Sequence, residues 1–195
     1  MSIWGWLLLG AGTWGLAVVL KILADYLVQT RTQIALRDWV AAVLSGLWSS
    51  ACELGLTAAA FWYWSATFAD ALVLAVGAAL AEFVLLLPAA ISANWQKRTT
   101  KTKEAAGWSA FFAERAVAFA SHLASRALLW LGVAGSGGLA AVGSAFGFFA
   151  LTEAIQAYGQ AKEWDWLNPR ILGTFLFLQI TVVLVQVALL ILWST

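Results

Sequence analysis

Apolar residues fall in six continuous runs, which are separated by short stretches that gather charged and turn-forming residues. The runs cover residues 3–29, 39–64, 68–95, 108–132, 138–160 and 171–193. Each is long enough to cross a hydrocarbon core of about 30 Å as a helix of about 20 residues. The runs are continuous and not alternating, so they predict helices and not barrel strands. The sequence therefore predicts an all-α polytopic transmembrane helical bundle of six spans, in one domain over 1–195.

Basic residues between the runs set the expected orientation. The stretches 30–38, 96–107 and 161–170 contain eight: Arg31, Arg37, Lys97, Arg98, Lys101, Lys103, Lys162 and Arg170. The N-terminus, the turns at 65–67 and 133–137 and the tail at 194–195 contain none. Because cytoplasmic loops carry the excess of Lys and Arg, we expect both termini on the non-cytoplasmic side.

Turn-forming residues and tryptophans mark the ends of the predicted helices. Asp70 should occupy the first turn of the third helix, and Pro169 should open the sixth after Asn168. Eleven of the thirteen tryptophans lie near span ends, where headgroups favour their rings. Trp14 and Trp48 lie deeper, where they either pack between helices or line a ligand pocket.

Composition excludes several classes of protein. Hydrophobic residues make up 63% of the chain and charged residues 11%, against about 25% charged in soluble domains. A soluble globule, a disordered chain and a nucleic-acid-binding surface are therefore not expected. Cys52 is the single cysteine, which excludes a disulfide framework, and we predict no metal site. The expected partners are the lipid bilayer, whose anionic headgroups Lys97, Arg98, Lys101 and Lys103 should contact, and other membrane subunits.

Ionisable residues at membrane depth are costly, so each calls for a partner or a use. Glu53 and Glu82 lie near the middle of their spans, and Arg115, His122 and Arg126 share one helical face. We predict that Glu53, Glu82 and Glu153 face Arg115 and His122. The predicted central polar cluster comprises Glu53, Thr57, Glu82, Glu114, Arg115, His122, Glu153 and Gln156. It is either a set of ion pairs that fixes helix register, or a catalytic, proton-handling or ligand-binding centre.

Two further polar positions have simpler interpretations. Lys21, Asp25 and Gln29 lie four apart near the inner end of the first run, which is typical of a local ion pair that reaches the interface. His122 is an alternative axial ligand for haem or chlorophyll, because imidazole is the common ligand at membrane depth. The chain has no second histidine to match it, and no cofactor is predicted.

Four short motifs follow a recognisable order over residues 50–160. The first two are Ala51-Cys52-Glu53-Leu54-Gly55-Leu56-Thr57 with Phe61, and Asp70 with Gly77 and Glu82. The last two are Glu114-Arg115-Ala116-Val117-Ala118 with His122, and Thr152-Glu153-Ala154-Ile155-Gln156. This order resembles the YhfC-type branch of the glutamic intramembrane proteases, relatives of PrsW and of the CAAX-processing enzymes. The branch carries G-x-F-E-E-G-x-R, D-G-x-x-x-G-x-G-H-G-x-x-E, E-R-x-x-A-x-x-x-[HQ]-x-x-x-S and H-x-x-x-D.

Departures from that pattern bear on activity. In the family a pair of glutamates is thought to activate water, and two acids in contact can divide the roles of base and acid. Here Leu54 replaces the second glutamate, Thr57 the arginine and Ala78 the first histidine. The last motif lacks both its histidine and its aspartate. The resemblance therefore implies a catalytically degenerate relative that keeps the fold and a central polar cavity.

Three functions follow as expectations. The first is a non-catalytic membrane subunit that binds a partner membrane protein, lipid or hydrophobic cofactor within a larger complex. The second is an active glutamic protease in which Glu53 works with Glu82 or Glu114, and His122 or Arg115 steadies the oxyanion. The third is a small-molecule transport component, similar to the S component of vitamin-uptake systems. We expect a multi-pass protein of a cell membrane, the bacterial cytoplasmic membrane.

Overall fold

The computed structural model describes residues 1–31, 37–100, 108–164 and 168–194, with backbone alone at 25, 27–31 and 93–100. Its helices in this part of the chain are α1 (Ile3–Arg31), α2 (Asp38–Trp64), α3 (Phe68–Thr100), α4 (Trp108–Val133), α5 (Gly138–Ala161) and α6 (Pro169–Ser194). All six are long and apolar enough to cross a bilayer. The predicted all-α fold is confirmed, and six such helices indicate a multi-pass membrane protein.

Helix starts follow the predicted turn residues. Pro169 is the first residue of α6, where its missing N–H costs nothing, and the Asn168 side chain accepts a hydrogen bond from the Arg170 amide at 3.0 Å. At the start of α3, the Thr67 amide donates to Asp70 Oδ2 at 2.9 Å. The Asp70 amide donates back to Thr67 Oγ1 at 3.3 Å. This reciprocal capping fixes the turn between α2 and α3.

The third helix is longer than its apolar run. The run was predicted to end at 95, whereas α3 passes through Pro88 and ends at Thr100. Gln, Lys and Arg are good helix formers, so a helix continues where the apolar run stops. Lys97 and Arg98 lie in this extension, where only the backbone is described, and Lys101 and Lys103 lie outside the described residues. Their predicted contacts with headgroups stay a prediction.

Helix α4 lies at the centre of the bundle. It contacts α2, α3, α5 and α6, while α1 packs mainly on α3 and α2 mainly on α5. The α1–α3 pair is held close by two glycines. A Cβ added at Gly10 would lie 2.0 Å from the Leu74 carbonyl oxygen, and one at Gly77 would lie 2.1 Å from that of Leu7. Small residues allow such close approach between membrane helices.

The apolar core fills the half of the bundle that contains both termini. Its members include Trp6, Phe61, Leu74, Leu128 and Leu131, all nearly or fully buried. Trp6 is therefore a core residue and not the headgroup-facing residue that its position near a span end suggested. The Trp130 indole donates to the Ala66 carbonyl at 2.7 Å and ties α4 to the α2–α3 turn. Polar side chains gather on the other side of this core.

One ion pair joins the opposite end of the bundle. Lys162, directly after α5, hydrogen-bonds to Asp38 at the start of α2. This hydrogen bond, with the nearby negative charge, raises the pKa of the Lys162 ammonium above its usual range. Both side chains are more than 40% exposed, so the pair marks where two helix ends meet without adding much stability.

Candidate functional site: a buried polar chain beside a cavity

Nine of the described polar side chains, from helices α1 to α5, form one continuous series of hydrogen bonds and ion pairs. We call this series the polar chain. Charges at membrane depth are expensive, so a connected series of partners is the arrangement that lets several of them be buried together. In order of contact, its members are Ser49, Glu153, Lys21, Glu53, Arg126, His122, Glu82, Arg115 and Glu114.

Lys21 organises the first part of the polar chain. Its ammonium lies 2.9 Å from Glu53 Oε1 and 3.2 Å from Glu153 Oε2. The Ser49 hydroxyl donates a further hydrogen bond to Glu153 Oε2 at 2.5 Å. Lys21 thus bridges α2 and α5 from α1, which the interpretation as a local pair with Asp25 missed. The side chains of Asp25 and Gln29 lie outside the described residues.

Arg126 and His122 form the middle of the polar chain. The fully buried Arg126 places Nη2 3.4 Å from Glu53 Oε2 and donates from Nη1 to His122 Nδ1 at 2.6 Å. A guanidinium can only donate, so Nδ1 must be the acceptor and Nε2 must carry the ring hydrogen. Nε2 then donates to Glu82 Oε2, which is 2.6 Å away. Both ring nitrogens of His122 are therefore occupied.

Arg115 completes the polar chain between two carboxylates. Its Nη1 lies 2.6 Å from Glu82 Oε1, and its Nε and Nη2 both hydrogen-bond to the neighbouring Glu114. One guanidinium fork is thus shared between an acid on α3 and an acid on α4. Such forked contacts hold both carboxylates in fixed positions.

Charge in the polar chain does not balance. Four carboxylates (Glu53, Glu82, Glu114 and Glu153) face three cations (Lys21, Arg115 and Arg126), and the hydrogen-bond pattern makes His122 neutral. With all acids ionised, one negative charge is left over among the described side chains. In a medium of low dielectric such a charge is expensive, so it favours uptake of a cation or a proton.

A cavity of about 170 Å³ opens along the polar chain. Most of the polar chain lines it, together with Trp14, Phe149, Gln156 and Gln179. A second cavity of about 250 Å³ shares Glu114 and Gln156 with the first and is otherwise lined by Gln160, Leu172 and Phe175. The two cavities therefore adjoin. Charged side chains of the polar chain form a wall of the first cavity, and Leu172 and Phe175 form an apolar wall of the second.

Helix α6 contributes two buried glutamines that the sequence analysis missed. Gln179 and Gln186 are 5% and 1% exposed. The side-chain oxygen of each has no donor among the described residues. The sequence does contain a sign of them, because two amides seven residues apart share one face of an otherwise apolar span. Polar residues within spans face the bundle interior by default.

Most of the predicted central cluster meets in space. Glu53, Glu82, Glu114, Arg115, His122 and Glu153 belong to the polar chain, and Gln156 lines both cavities. Thr57 does not join them, because its hydroxyl donates to the Glu53 carbonyl of its own helix at 2.8 Å. Glu53, Glu82 and Glu153 line one cavity with Arg115 and His122, but their ion pairs differ. Lys21 reaches Glu53 and Glu153 from α1, and Arg126 reaches Glu53, whereas Arg115 and His122 contact Glu82.

Of the two tryptophans that lie away from the span ends, Trp14 fits the pocket interpretation and Trp48 fits neither interpretation. Trp14 is buried and lines the cavity of the polar chain, as the pocket interpretation expects. Trp48 is 47% exposed on the outside of α2 and neither packs in the core nor lines this cavity.

The residues present offer little to a metal or pigment. Within residues 1–31, 37–100, 108–164 and 168–194, no three His, Cys, Asp or Glu side chains are grouped to hold a metal ion. A haem or chlorophyll on His122 would have to displace Glu82 or Arg126 from the ring. The geometry therefore favours a hydrogen-bonding role for this histidine over axial ligation.

Comparison with protein-family models, with curated proteins and with solved structures finds no match to this chain. The likeness to the YhfC-type branch therefore stays a prediction that rests on the motifs alone. The geometry of the polar chain and its cavity carries the functional interpretation.

Proposed function

We propose that this protein is a non-catalytic integral membrane subunit, which acts by binding within a larger membrane complex. The observation that carries the proposal is that each carboxylate around the cavity is held by a basic side chain. A general base must have a carboxylate oxygen free to contact the attacking water. Glu53, the acid that the family resemblance makes catalytic, contacts both Lys21 and Arg126.

The histidine also favours binding over hydrolysis. A histidine base needs one ring nitrogen with a free lone pair near the reacting water. His122 accepts from Arg126 at one nitrogen and donates to Glu82 at the other, so neither is available. With Leu54 in place of a second glutamate, this supports a pseudoenzyme derived from intramembrane proteases.

Surface features support a partner of apolar chemistry. A groove of about 550 Å³ between α1 and α2 is lined by Leu9, Leu56, Trp62 and Tyr63 among others. Trp62 and Tyr63 are each more than 70% exposed. We propose that a partner membrane protein, a lipid or a hydrophobic cofactor contacts such surfaces. We place the protein in the bacterial cytoplasmic membrane with both termini on its outer side.

Affinity purification from native membranes in mild detergent tests the proposal. We expect the tagged chain to retain a stable companion, and we expect Glu53→Gln to retain it as well. Recovery of a lone monomer would contradict the proposed subunit. In parallel, wild type and Glu53→Gln are incubated with reporter transmembrane substrates, and cleavage by wild type that a still-folded Glu53→Gln abolishes would establish the protease alternative.

A second candidate function is a small-molecule transport component. The cavity along the polar chain, with a second cavity beside it, favours this candidate because a solute needs a binding site within the bundle. It predicts that a solute co-purifies with the chain, and that cells lacking the chain lose uptake of that solute. Unchanged uptake in such cells would contradict it.

A further inference from the structure

We propose that the cavity along the polar chain binds a small protonated alkylamine. Its ammonium group would lie in the part that Glu114 and Gln179 line, and its alkyl chain would lie against Leu172 and Phe175 in the adjoining cavity. This inference goes beyond the proposed subunit function, which concerns apolar surfaces on the outside of the bundle, and assigns a ligand class to the cavity.

The first support is the charge of the polar chain. Four carboxylates against three cations leave one negative charge among the described side chains, which attracts a cation into the cavity. Glu114 and Glu82 share Arg115, so the surplus charge is available at this end of the polar chain. The other end has Lys21 and Arg126 around Glu53 and is better compensated.

The second support is independent of charge. Gln179 lines the cavity, is 5% exposed, and its side-chain oxygen has no hydrogen-bond donor in the described part of the chain. Leaving a buried acceptor unpaired costs about 1–3 kcal/mol. A ligand with N–H groups would supply the missing donor, whereas a carboxylate or another acceptor would not. Surplus negative charge and an unpaired acceptor thus select the same chemistry, a cation that donates hydrogen bonds.

The third support is the shape of the space beyond. Leu172, Phe175 and Gln179 are spaced three and four residues apart, so they follow one face of α6 from the second cavity to the first. Glu114 and Gln156 line both cavities. A ligand that places its ammonium beside Gln179 therefore finds apolar side chains where its alkyl chain extends. This arrangement favours an alkylamine over a bare metal ion or a hydrophilic diamine.

Isothermal titration of the full purified chain in detergent, with ligands of matched length, tests the inference without any variant. We expect butylammonium to bind at least about tenfold more tightly than butanol or butyrate, because a hydrogen bond to a charged group is worth that much or more. Butyltrimethylammonium, which has charge but no N–H, should also bind more weakly. Equal binding of butanol and butylammonium would overturn the proposal.

Two variants and a matched control locate the site. Gln179→Leu removes the unpaired acceptor and Glu114→Gln removes a charge, and each should weaken butylammonium binding by about tenfold. Gln186→Leu is the control, because Gln186 is also buried on α6 with a side-chain oxygen that has no donor among the described residues, but it is not among the residues that line the two cavities. Binding that Gln179→Leu and Glu114→Gln leave unchanged would overturn the proposal. If a variant does not fold, the wild-type ligand series still decides.

The amine-binding proposal and the proposed subunit function can be disproved independently of each other. Absence of butylammonium binding in a chain that retains its companion and cleaves nothing would remove the ligand class and leave the proposed subunit. Cleavage of a reporter by wild type that a still-folded Glu53→Gln abolishes would remove the non-catalytic function, whatever the amine result.

Discussion

Arg126 donates a hydrogen bond to His122, one helical turn away on α4, with Nη1 and Nδ1 separated by 2.6 Å. This contact joins two groups of ion pairs that lie on different helices. One group is built around Lys21 and Glu53, and the other around Glu82 and Arg115. Because the histidine connects them, acids from α2, α3, α4 and α5 form one polar chain instead of two separate pairs.

His122→Ala should break the polar chain at its centre. Arg126 would lose an acceptor and Glu82 a donor, both in a buried setting, so we expect a destabilisation of about 2–4 kcal/mol. Unfolding in graded SDS with a mild detergent measures it. His122→Asn, whose amide offers an acceptor and a donor, should lose less. Equal losses for the two variants would contradict the connecting role of the ring.

Arg126→Met tests the buried guanidinium. It has no exposed surface and contacts Glu53 and His122. Removing one partner of a buried pair leaves an uncompensated charge, so we expect a loss of about 3–5 kcal/mol. Adding Glu53→Gln to Arg126→Met should recover part of this loss, because the second change removes the stranded charge. Strictly additive losses would argue against their contact.

Gly10→Ala should force α1 away from α3. The added Cβ would lie 2.0 Å from the Leu74 carbonyl oxygen, which is backbone and cannot rotate aside. We expect a loss of about 1–3 kcal/mol from overpacking. Gly12→Ala is the matched control on the same helix, because its Cβ would meet nothing within 4 Å. Alanine favours helix over glycine, so the control should be neutral or slightly more stable.

Lys162→Ala should change thermal stability little at neutral pH, because the pair with Asp38 is exposed. The contact raises the pKa of Lys162, so whatever the pair contributes is present below the usual lysine pKa. It is lost as pH rises through the raised value. Thermal unfolding at several pH values checks both points, and a variant that is much less stable at pH 7 would contradict this account.

Sequence reasoning reached the spans and much of the site because both depend on local pattern. Apolar runs mark six helices, and acids in the middle of spans, such as Glu53 and Glu82, are expected to turn inward. It missed the contacts of Lys21 with Glu53 and Glu153, because helical spacing favours Asp25, four residues away, over acids on other helices. The side of a membrane helix that faces lipid and the side that packs on another helix are equally apolar, so hydropathy does not say which helices are neighbours.

Two other differences have physical causes. The end of an apolar run marks where the membrane span stops, and α3 continues past it with residues that form helices well in water. Hydropathy does not reveal Gln179, because two amides in a long apolar run change the mean hydropathy little. Its importance depends on its position, because its side chain lines the cavity and its side-chain oxygen has no donor among the described residues.

A double-mutant cycle between Lys21 and Glu53 tests the central claim that the acids of the cavity are held in ion pairs. The unfolding free energies of Lys21→Met, Glu53→Gln and the double variant are compared with that of wild type in the same detergent. The account predicts that the two single variants together lose more unfolding free energy than the double variant does. The difference, which is the coupling energy, should be about 1–3 kcal/mol. A coupling energy indistinguishable from zero would mean that Lys21 does not hold Glu53, and it would return that carboxylate to the candidates for catalysis.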